Sequence, residues 1–311
     1  MKPELLLTHD AMLERQQAEA KLMPEENPYR SMVAGQAALL RDAASLPLGG
    51  VAPQNLSPPA ADAPRVLIFS PHPDDECIIG GLPLRLLRER RMQVINVAVT
   101  QGRHPERQAA RLQELEAACA YIGFGLQRTV ENGLGNIDLT TREQWPKIWA
   151  AAVAVITSIL EDRSPEVVFI PHDGDWHPAH IGTHYLVLDA LAALSADFTC
   201  HVVETEFWGA MATPNLMVES SLDDVADLAA ALSFHVGEVT RNPYHLRLPA
   251  WMIDNVRRGS ELVQGKGGTA PEMMFATLYR LRRWRDGSLQ DDTLPAGRML
   301  PVADDPSLLF T

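Results

Sequence analysis

The residues best suited to chemistry form a short acidic segment with one histidine, directly after an apolar run. Residues 66–70, VLIFS, lead into PHPDDE at residues 71–76. His72 and Asp75 are three residues apart, so a helical turn would place both side chains on one side and direct Asp74 elsewhere. We therefore predict two metal ligands, His72 and Asp75, and one free base, Asp74.

Helix capping offers a second explanation for these acids. Asp74, Asp75 and Glu76 would complement the positive N-terminal end of a following helix. A cap needs only one acid, however, and three acids beside a histidine at a buried strand end repel one another unless a cation is present. We therefore favour a metal site.

A second cluster contains four histidines and follows another apolar run. Residues 167–171, VVFIP, precede HDGDWHPAH at residues 172–180, and His184 lies one turn further on. His72, Asp75 and one histidine of this cluster would supply two nitrogen ligands and one oxygen ligand. Such a set is typical of catalytic zinc sites, where water takes the fourth position. Imidazole ligands also favour zinc over calcium or magnesium.

The position of each histidine indicates which one binds the metal. Pro178 suits the first turn of a helix, which places His177 at the helix start. His180 and His184 then share one helix face. We assign the metal to His180, since His177 would face the open coordination position and His184 lies deeper, where a core histidine is expected. His172 would either support a ligating imidazole or stabilise a turn.

Both clusters lie where parallel strands are expected to end. From Arg65 onward, β-branched runs alternate with amphipathic stretches, which predicts a doubly wound α/β fold with a mostly parallel sheet and helices on both faces. The predicted strands are 66–70, 94–100, 167–171 and 201–208, and the predicted helices lie near 80–91, 106–121, 142–160, 178–194, 222–232 and 249–263. Because open α/β sheets bind ligands at the carboxyl ends of their strands, the two clusters can converge.

The chain before this domain has a different composition. Residues 46–64, LPLGGVAPQNLSPPAADAP, are rich in proline, glycine and alanine, which resist both helix and strand. We predict a linker or surface strap there. Residues 1–45 are predicted to form a helical N-terminal extension, with helices at roughly 5–22 and 31–45, and the compact domain is predicted to span 65–311.

Length and composition exclude several classes of protein. The chain has 311 residues, of which 46% are hydrophobic and 22% charged, which excludes collagen, coiled coil and wholesale disorder. A formal net charge of −13 repels phosphate backbones, so nucleic acid is not an expected partner. The 3 cysteines are widely spaced and predict neither a disulfide framework nor a cysteine-based metal site, which fits a reducing compartment.

Targeting and membrane-spanning segments are not expected either. Glu4 and Asp10 interrupt the leucines near the N-terminus, whereas a signal peptide needs an unbroken apolar run of roughly 7–15 residues. The longest apolar run, at 148–160, falls short of the roughly 20 residues that span a bilayer. We expect a cytoplasmic protein without a membrane span, and the sequence allows a homo-oligomer.

The two motifs together resemble those of the PIG-L/LmbE-like zinc-dependent N-deacetylases. The resemblance rests on PHPDDE after the first strand and on HPAH at 177–180, and it covers roughly residues 65–284. Three further segments are similar to family motifs, namely RLQEL at 111–115, ALSFH at 231–235 and PEMMF at 271–275. The resemblance implies a Rossmann-like fold, one Zn²⁺ ion and hydrolysis of a linear amide. The implied substrate is a small-molecule amino-sugar conjugate, commonly one with an N-acetylglucosamine moiety.

Motif matching also implies a role for each site residue. The implied zinc ligands are His72, Asp75 and His180. Asp74 would be the general base, and His177 would stabilise the oxyanion or protonate the leaving amine. His235 falls at a position that approaches the active site in some family members, which implies a substrate contact.

The chain departs from the family pattern at several positions. Ala179 replaces an acid that is common between the two histidines, and Gln101 and Arg103 stand where an acid is common after the second strand. Two other functions are kept as alternatives: a metal-dependent hydrolase of an ester or phosphoester, and a catalytically inactive binding protein on the same fold. The acidic balance argues against the phosphoester, because phosphate recognition needs basic contacts.

Overall fold

The computed structural model of the chain describes residues 27–53, 57–267, 269–291 and 293–310. The described residues up to Leu46 and those from Pro47 onward form two compact units. The first unit contains helix α1, Tyr29–Ala43, close to the helix predicted at 31–45. The helix predicted at 5–22 lies outside the described residues.

The second unit is built on one mixed β-sheet. Its strands are β1 Arg65–Ser70, β2 Gln93–Ala98, β3 Gly125–Arg128, β4 Val167–Pro171, β5 Cys200–Thr205, β6 Leu216–Glu219, β7 Ala276–Arg285, β8 Ser288–Gln290 and β9 Arg298–Leu300. The strand order is β3-β2-β1-β4-β5-β7-β6-β9, and β8 pairs with β7. The first five strands in this order are parallel, whereas β7 runs antiparallel to both β5 and β6. The fold class predicted from the sequence is confirmed.

Helices connect the strands and cover the sheet. They are α2 Asp75–Ile78, α3 Gly81–Arg90, α4 Pro105–Ile122, α5 Leu139–Gln144, α6 Pro146–Arg163, α7 Pro178–Ala192, α8 Leu222–Ser233, α9 Val236–Val239 and α10 Leu248–Leu262, with short 3₁₀ turns at Tyr244–Leu246 and Pro306–Leu309. In the described part of the chain, none of the helices is long and apolar enough to cross a membrane.

Both faces of the central strands are buried, as their unbroken apolar sequences predict. Val66 and Ile68 of β1 belong to the core on one side of the sheet, and Leu67 and Phe69 belong to the core on the other side. Side chains alternate between the two faces of a strand, so one short apolar run contributes to two cores. The strand is thereby fixed on both sides, and the loop after it starts from a rigid point.

The helix predicted near 80–91 is observed as α3, Gly81–Arg90, whereas the helix predicted at 142–160 is divided. Gly80 has a φ of +83° and separates α3 from the short α2 before it. A Cβ atom at Gly80 would lie 2.0 Å from Thr277 Oγ1, so no larger residue fits there. In the helix predicted at 142–160, Pro146 starts α6 after α5 has ended at Gln144, because proline cannot continue a helix.

The segment predicted as a linker or strap is held along the second unit. Its described residues from Pro47 onward contain neither helix nor strand. The backbone N–H of Gly49 donates to Ser233 Oγ at 3.1 Å, and Gln93 Nε2 donates to the carbonyl of Ala60 at 2.7 Å. These hydrogen bonds indicate that the segment is a surface strap rather than a free linker. The boundaries of the predicted domains stay a prediction.

The sheet topology brings the two motif loops together. β1 lies between β2 and β4, and Val66 of β1 is in register with Val167 of β4. Both strands run parallel, so their carboxyl ends meet at the same edge of the sheet, where the chain reverses its direction of winding. The loop at 71–74 and the loop at 172–177 therefore lie side by side.

Candidate active site

The loop after β1 places His72 and Asp75 together, as their spacing predicts. Asp74 adopts a left-handed conformation with a φ of 116°, and helix α2 begins at the next residue. This turn lets Asp75 Oδ2 accept a hydrogen bond from the backbone N–H of His72 at 2.8 Å. The carboxylate of Asp75 faces the imidazole of His72, whereas the carboxyl of Asp74 contacts Tyr244.

Three ligand atoms converge where the two loops meet. His72 Nδ1 lies 3.4 Å from Asp75 Oδ2, His180 Nε2 lies 3.3 Å from the same oxygen, and the two nitrogen atoms are 3.3 Å apart. Ligands bound to zinc at 2.0–2.1 Å in a tetrahedron are separated by about 3.3–3.4 Å. The three side chains therefore have the donor types and the spacing that a tetrahedral ion needs.

The charges at this cluster also suit a cation. Burial raises the pKa of Asp75, but the attraction of His180 and hydrogen bonds from His180 and His72 outweigh it, so the pKa lies well below its usual range. Burial lowers the pKa of His180, but Asp75 outweighs that effect and raises it. A buried carboxylate that stays ionised needs a positive partner, which a proton on His180 or a metal ion can supply.

Asp175 is a buried acid behind His180 that the sequence analysis did not single out. Its Oδ1 accepts from the backbone N–H of His177 at 2.8 Å and lies 3.7 Å from His180 Nδ1. Its Oδ2 accepts from the N–H groups of Trp208 and Gly209. Asp175 therefore ties the start of α7 to the loop after β5 and directs negative charge toward the back of the ligand imidazole.

The other histidines of the second cluster have structural contacts. His172 Nε2 lies 2.8 Å from the Gly209 carbonyl, and its Nδ1 accepts from Gly174 N–H, so it stabilises loops and does not support a ligating imidazole. His184 Nδ1 donates to the Pro171 carbonyl at 2.8 Å and is buried, which agrees with a core histidine.

His177 faces the cavity beside the three ligand atoms. Its ring centroid lies 4.7 Å from that of His72, with the two rings nearly perpendicular. Burial, followed by repulsion from His72 and His180, lowers the pKa of His177 to about 4. Its Nδ1 accepts from the N–H of Ala179, which leaves Nε2–H of the neutral ring free to donate. A hydrogen bond to an oxyanion therefore suits His177 better than proton delivery.

Asp74 is a buried carboxyl with a strongly shifted pKa. Burial, and next the negative charge of Asp75, raise the pKa of Asp74 to about 7, although His235, Arg111 and a hydrogen bond from Tyr244 oppose the shift. The Tyr244 hydroxyl donates to Asp74 Oδ2. A carboxyl with a pKa near neutrality can both accept and return a proton.

His235 is enclosed within the protein and is not among the residues that line the cavity of the site. Its side chain is buried, and Nε2 pairs with Glu76 Oε1 at 2.7 Å. Glu76 Oε2 accepts from the backbone N–H of Asp74 at 2.9 Å, and Oε1 also accepts from Cys77 Sγ. The substrate contact assigned to His235 stays a prediction, whereas its observed contact is with the residue that holds the Asp74 backbone.

The Glu76–His235 pair is expected to stabilise the loop that carries Asp74. We predict that Glu76→Gln and His235→Gln each lower the free energy of unfolding by at least about 2 kcal/mol, because each leaves a buried polar partner poorly satisfied. The double variant should lose less than the sum, with a coupling energy of about 1–3 kcal/mol. Urea unfolding at neutral pH measures all four proteins, and additive losses would show that the two side chains act independently.

A cavity of about 550 Å³ opens over these side chains. It is lined by His72, Asp74, Asp75 and His177 from the two loops and by Trp208 from the loop after β5. The free side of the ligand cluster therefore faces a space large enough for a small molecule.

Comparisons with known proteins connect this geometry to a family. Residues 67–191 match the model of the PIG-L family, described as GlcNAc-PI de-N-acetylase. The 1D-myo-inositol 2-acetamido-2-deoxy-alpha-D-glucopyranoside deacetylase of Mycobacterium leprae (strain Br4923) is 26% identical over 160 residues, which cover 43% of this chain and 52% of that protein. The chain thus spans about half the length of the curated relatives it matches.

Solved structures with a similar fold catalyse different reactions. The N,N'-diacetylchitobiose deacetylase from Pyrococcus horikoshii has a TM-score of 0.51 and 18% identity, covering 84% of this chain and 94% of that one. GalB, the 4-carboxy-2-hydroxymuconate hydratase from Pseudomonas putida KT2440, has a TM-score of 0.51 and 16% identity, covering 70% of this chain and 95% of that one. At such identities the likeness concerns the fold alone.

The family match spans the part of the chain that builds the site. It begins within β1, contains both motif loops and ends within α7, so His72, Asp75 and His180 all lie inside it. The resemblance seen in the sequence motifs is thereby confirmed over residues 67–191, which match the PIG-L family model.

Proposed function

We propose that the chain is a zinc-dependent amide hydrolase that removes the acetyl group from an N-acetylglucosamine-type conjugate. The observation that carries the proposal is the convergence of His72, Asp75 and His180 at 3.3–3.4 Å beside Asp74, in a cavity open to a small molecule. The names of the relatives, which describe deacetylases of acetamido sugars, support the choice of bond and substrate.

His72, Asp75 and His180 would hold the ion. When bound, zinc supplies a Lewis acid that activates water and polarises a carbonyl group. Asp74 lies next to Asp75 in sequence and lines the same cavity without joining the three ligand atoms, so it is free to take the proton of the attacking water. Its hydrogen bond from Tyr244 fixes the carboxyl for that transfer.

His177 and Asp74 complete the reaction. As the amide carbonyl takes up negative charge, the Nε2–H of neutral His177 donates a hydrogen bond to its oxygen, and one such donor is worth roughly 3–4 kcal/mol in other hydrolases. Asp74 then returns its proton to the amine nitrogen as the C–N bond breaks. Acetate and a free amino sugar leave.

An acetate-release assay on the zinc-loaded chain tests this function against its alternatives. N-acetylglucosamine glycosides, the corresponding O-acetyl esters and a phosphodiester of similar size serve as parallel substrates. We expect acetate and a stoichiometric free amine from the amide, and loss of turnover on chelation that zinc restores. Hydrolysis of only the ester or only the phosphodiester would establish a different hydrolase, and zinc binding without turnover of any substrate would identify a binding protein.

Tyr244→Phe removes the hydrogen bond to Asp74 and keeps the ring. This bond lowers the pKa of Asp74, so its loss raises that pKa, and the acid limb of the pH profile of kcat/KM is expected to move to higher pH. We also expect kcat at neutral pH to fall about tenfold, the value of one hydrogen bond to a charged group. Tyr185→Phe is a matched control, because Tyr185 contacts Arg142 away from the cavity.

A further inference from the structure

We propose that the cavity binds an anionic group on the non-reacting part of the substrate, a carboxylate or a phosphate, through arginines beside the metal-ligand loop. The proposal rests on the proposed function for the identity of the reacting part. The anion site itself is argued from the charges and contacts of the arginines, and it names a class of substrate that the sequence motifs do not specify.

The cavity has the opposite charge from the rest of the protein. Arg103, Arg107, Arg111 and Arg241 all line it, in a chain whose formal net charge is −13. Apart from Asp74 and Asp75, the only acid among its lining residues is Glu238. Four guanidinium groups around one cavity of an acidic protein therefore mark it as a place where negative charge is attracted.

Glu238 holds three of the four arginines but does not neutralise them. Its Oε1 accepts from Arg107 Nη2 at 2.5 Å and lies 3.9 Å from Arg111 Nη2, and its Oε2 accepts from Arg241. One carboxylate shared by three guanidinium groups leaves two positive charges. Arg103 adds a further charge, since it is exposed and makes no hydrogen bond or ion pair with any residue that the structure describes.

Arg111 joins this group to the metal-ligand loop. Its Nη2 donates to the Pro73 carbonyl at 3.0 Å, between His72 and Asp74. Gly102 makes room for it, because a Cβ atom there would lie 2.5 Å from Arg111 Nη1. Arg107 and Arg111 are four residues apart on α4 and share one helix face. The arginines are therefore fixed at the edge of the reaction site rather than scattered over the surface.

The planar fork of arginine suits an oxyanion. Guanidinium groups bind carboxylate and phosphate through paired N–H···O bonds, which are stronger and more directional than those between neutral groups. A substrate whose amide lies at His72 and His177 would place its other end among Arg103, Arg107 and Arg241. A purely structural role of Glu238 and the arginines, pinning α9 against α4, would give no preference for an anion.

Matched substrates separate these two roles. The α-glycoside of N-acetylglucosamine with glycolic acid is compared with its neutral methyl ester, and N-acetylglucosamine 1-phosphate is compared with methyl N-acetylglucosaminide. For at least one anionic substrate we expect kcat/KM to exceed that of its neutral counterpart by about tenfold or more. The difference should arise mainly from a lower KM, because a hydrogen bond to a charged group strengthens binding by about that much. The preference should shrink in high salt. The two pairs show whether carboxylate or phosphate is preferred.

Arg103→Gln and Arg241→Gln are the main variants, because both side chains are exposed and their replacement leaves the core intact. Each is expected to reduce the ratio of anionic to neutral kcat/KM by about tenfold. Arg90→Gln is the control, since Arg90 pairs with Asp305 outside the cavity and should leave the ratio unchanged. Equal kcat/KM within each pair, or ratios that neither cavity variant alters, would overturn the anion site.

Calorimetric titration separates this proposal from the proposed function. The glycolate glycoside and its methyl ester are titrated into the zinc-loaded wild type and into Arg103→Gln. If no substrate releases acetate but the carboxylate still binds about tenfold more tightly than the ester in the wild type only, the deacetylase proposal fails and the anion site stands. If the neutral substrates are deacetylated and neither anion binds better, the anion site alone fails.

Discussion

Replacing Asp74 with asparagine is expected to reduce acetate release by the zinc-loaded protein by about 10²–10⁴-fold while one ion stays bound, the range attributed to a general base. The asparagine side chain would fill the same space and could still accept the hydrogen bond from Tyr244, so the loop should keep its conformation. It cannot take a proton from water, however. Single-turnover acetate release measures the chemical step, and metal analysis of the same sample measures zinc per chain.

Asp173→Asn is the matched control for this prediction. Asp173 lies in the second motif loop but is exposed, so the same loss of charge close to the site should leave kcat within about twofold. Wild-type turnover by Asp74→Asn would exclude Asp74 as the base. Loss of zinc together with turnover would instead place Asp74 among the metal ligands and contradict the separation of roles proposed for Asp74 and Asp75.

The sequence predicts the central strands well and the far edge of the sheet poorly. β1 and β4 are buried on both faces and are therefore unbroken apolar runs with a clear signal. β7 carries four arginines in ten residues, ATLYRLRRWR, and was not predicted. Arg280 and Arg282 are tolerated in this strand because both pair with Glu204 and Asp291, contacts that only the folded chain supplies.

Some residues of the candidate site can likewise be predicted from the sequence, and others cannot. His72, Asp74 and Asp75 lie within one turn, so their relative directions follow from local geometry, and the structure has the same arrangement. Tyr244 and the arginines of α4 and the segment after α9 reach the cavity through tertiary packing, and no local spacing connects them to the motif. In the sequence, Arg111 was noted only as the start of the RLQEL segment, and Arg103, just before α4, only as a departure from the acid common in the family.

His235 has a contact that motif matching did not predict. A late histidine aligned with a family position was expected to contact substrate, whereas here Glu76 pairs with it inside the protein. The distance along the chain between these two residues is 159 positions, so sequence spacing cannot reveal the pairing. Burial beside a carboxylate explains the observed pairing of His235, and its substrate contact stays a prediction.

Asp75→Asn is expected to remove the metal site while preserving the fold. Asparagine can still accept the hydrogen bond from His72 N–H, but it lacks the charge that balances a divalent ion. Loss of a residue that merely supports a ligand costs about 10–100-fold in metal affinity, so loss of the carboxylate should cost more than about 100-fold. Zinc at 100 times its Kd stabilises the wild type by about 2.7 kcal/mol, and this zinc-dependent rise in Tm should disappear in Asp75→Asn.

A second possible set of metal ligands consists of three histidines, without Asp75. Ring nitrogens of His72, His177 and His180 all lie within 4.8 Å of one another and could hold an ion without Asp75. His177→Gln separates the two sets, since our assignment predicts that it keeps zinc with wild-type affinity and loses turnover, whereas Asp75→Asn loses both. If zinc affinity instead falls in His177→Gln and persists in Asp75→Asn, the ion binds the three imidazoles, and Asp75 serves to orient His72 and His180.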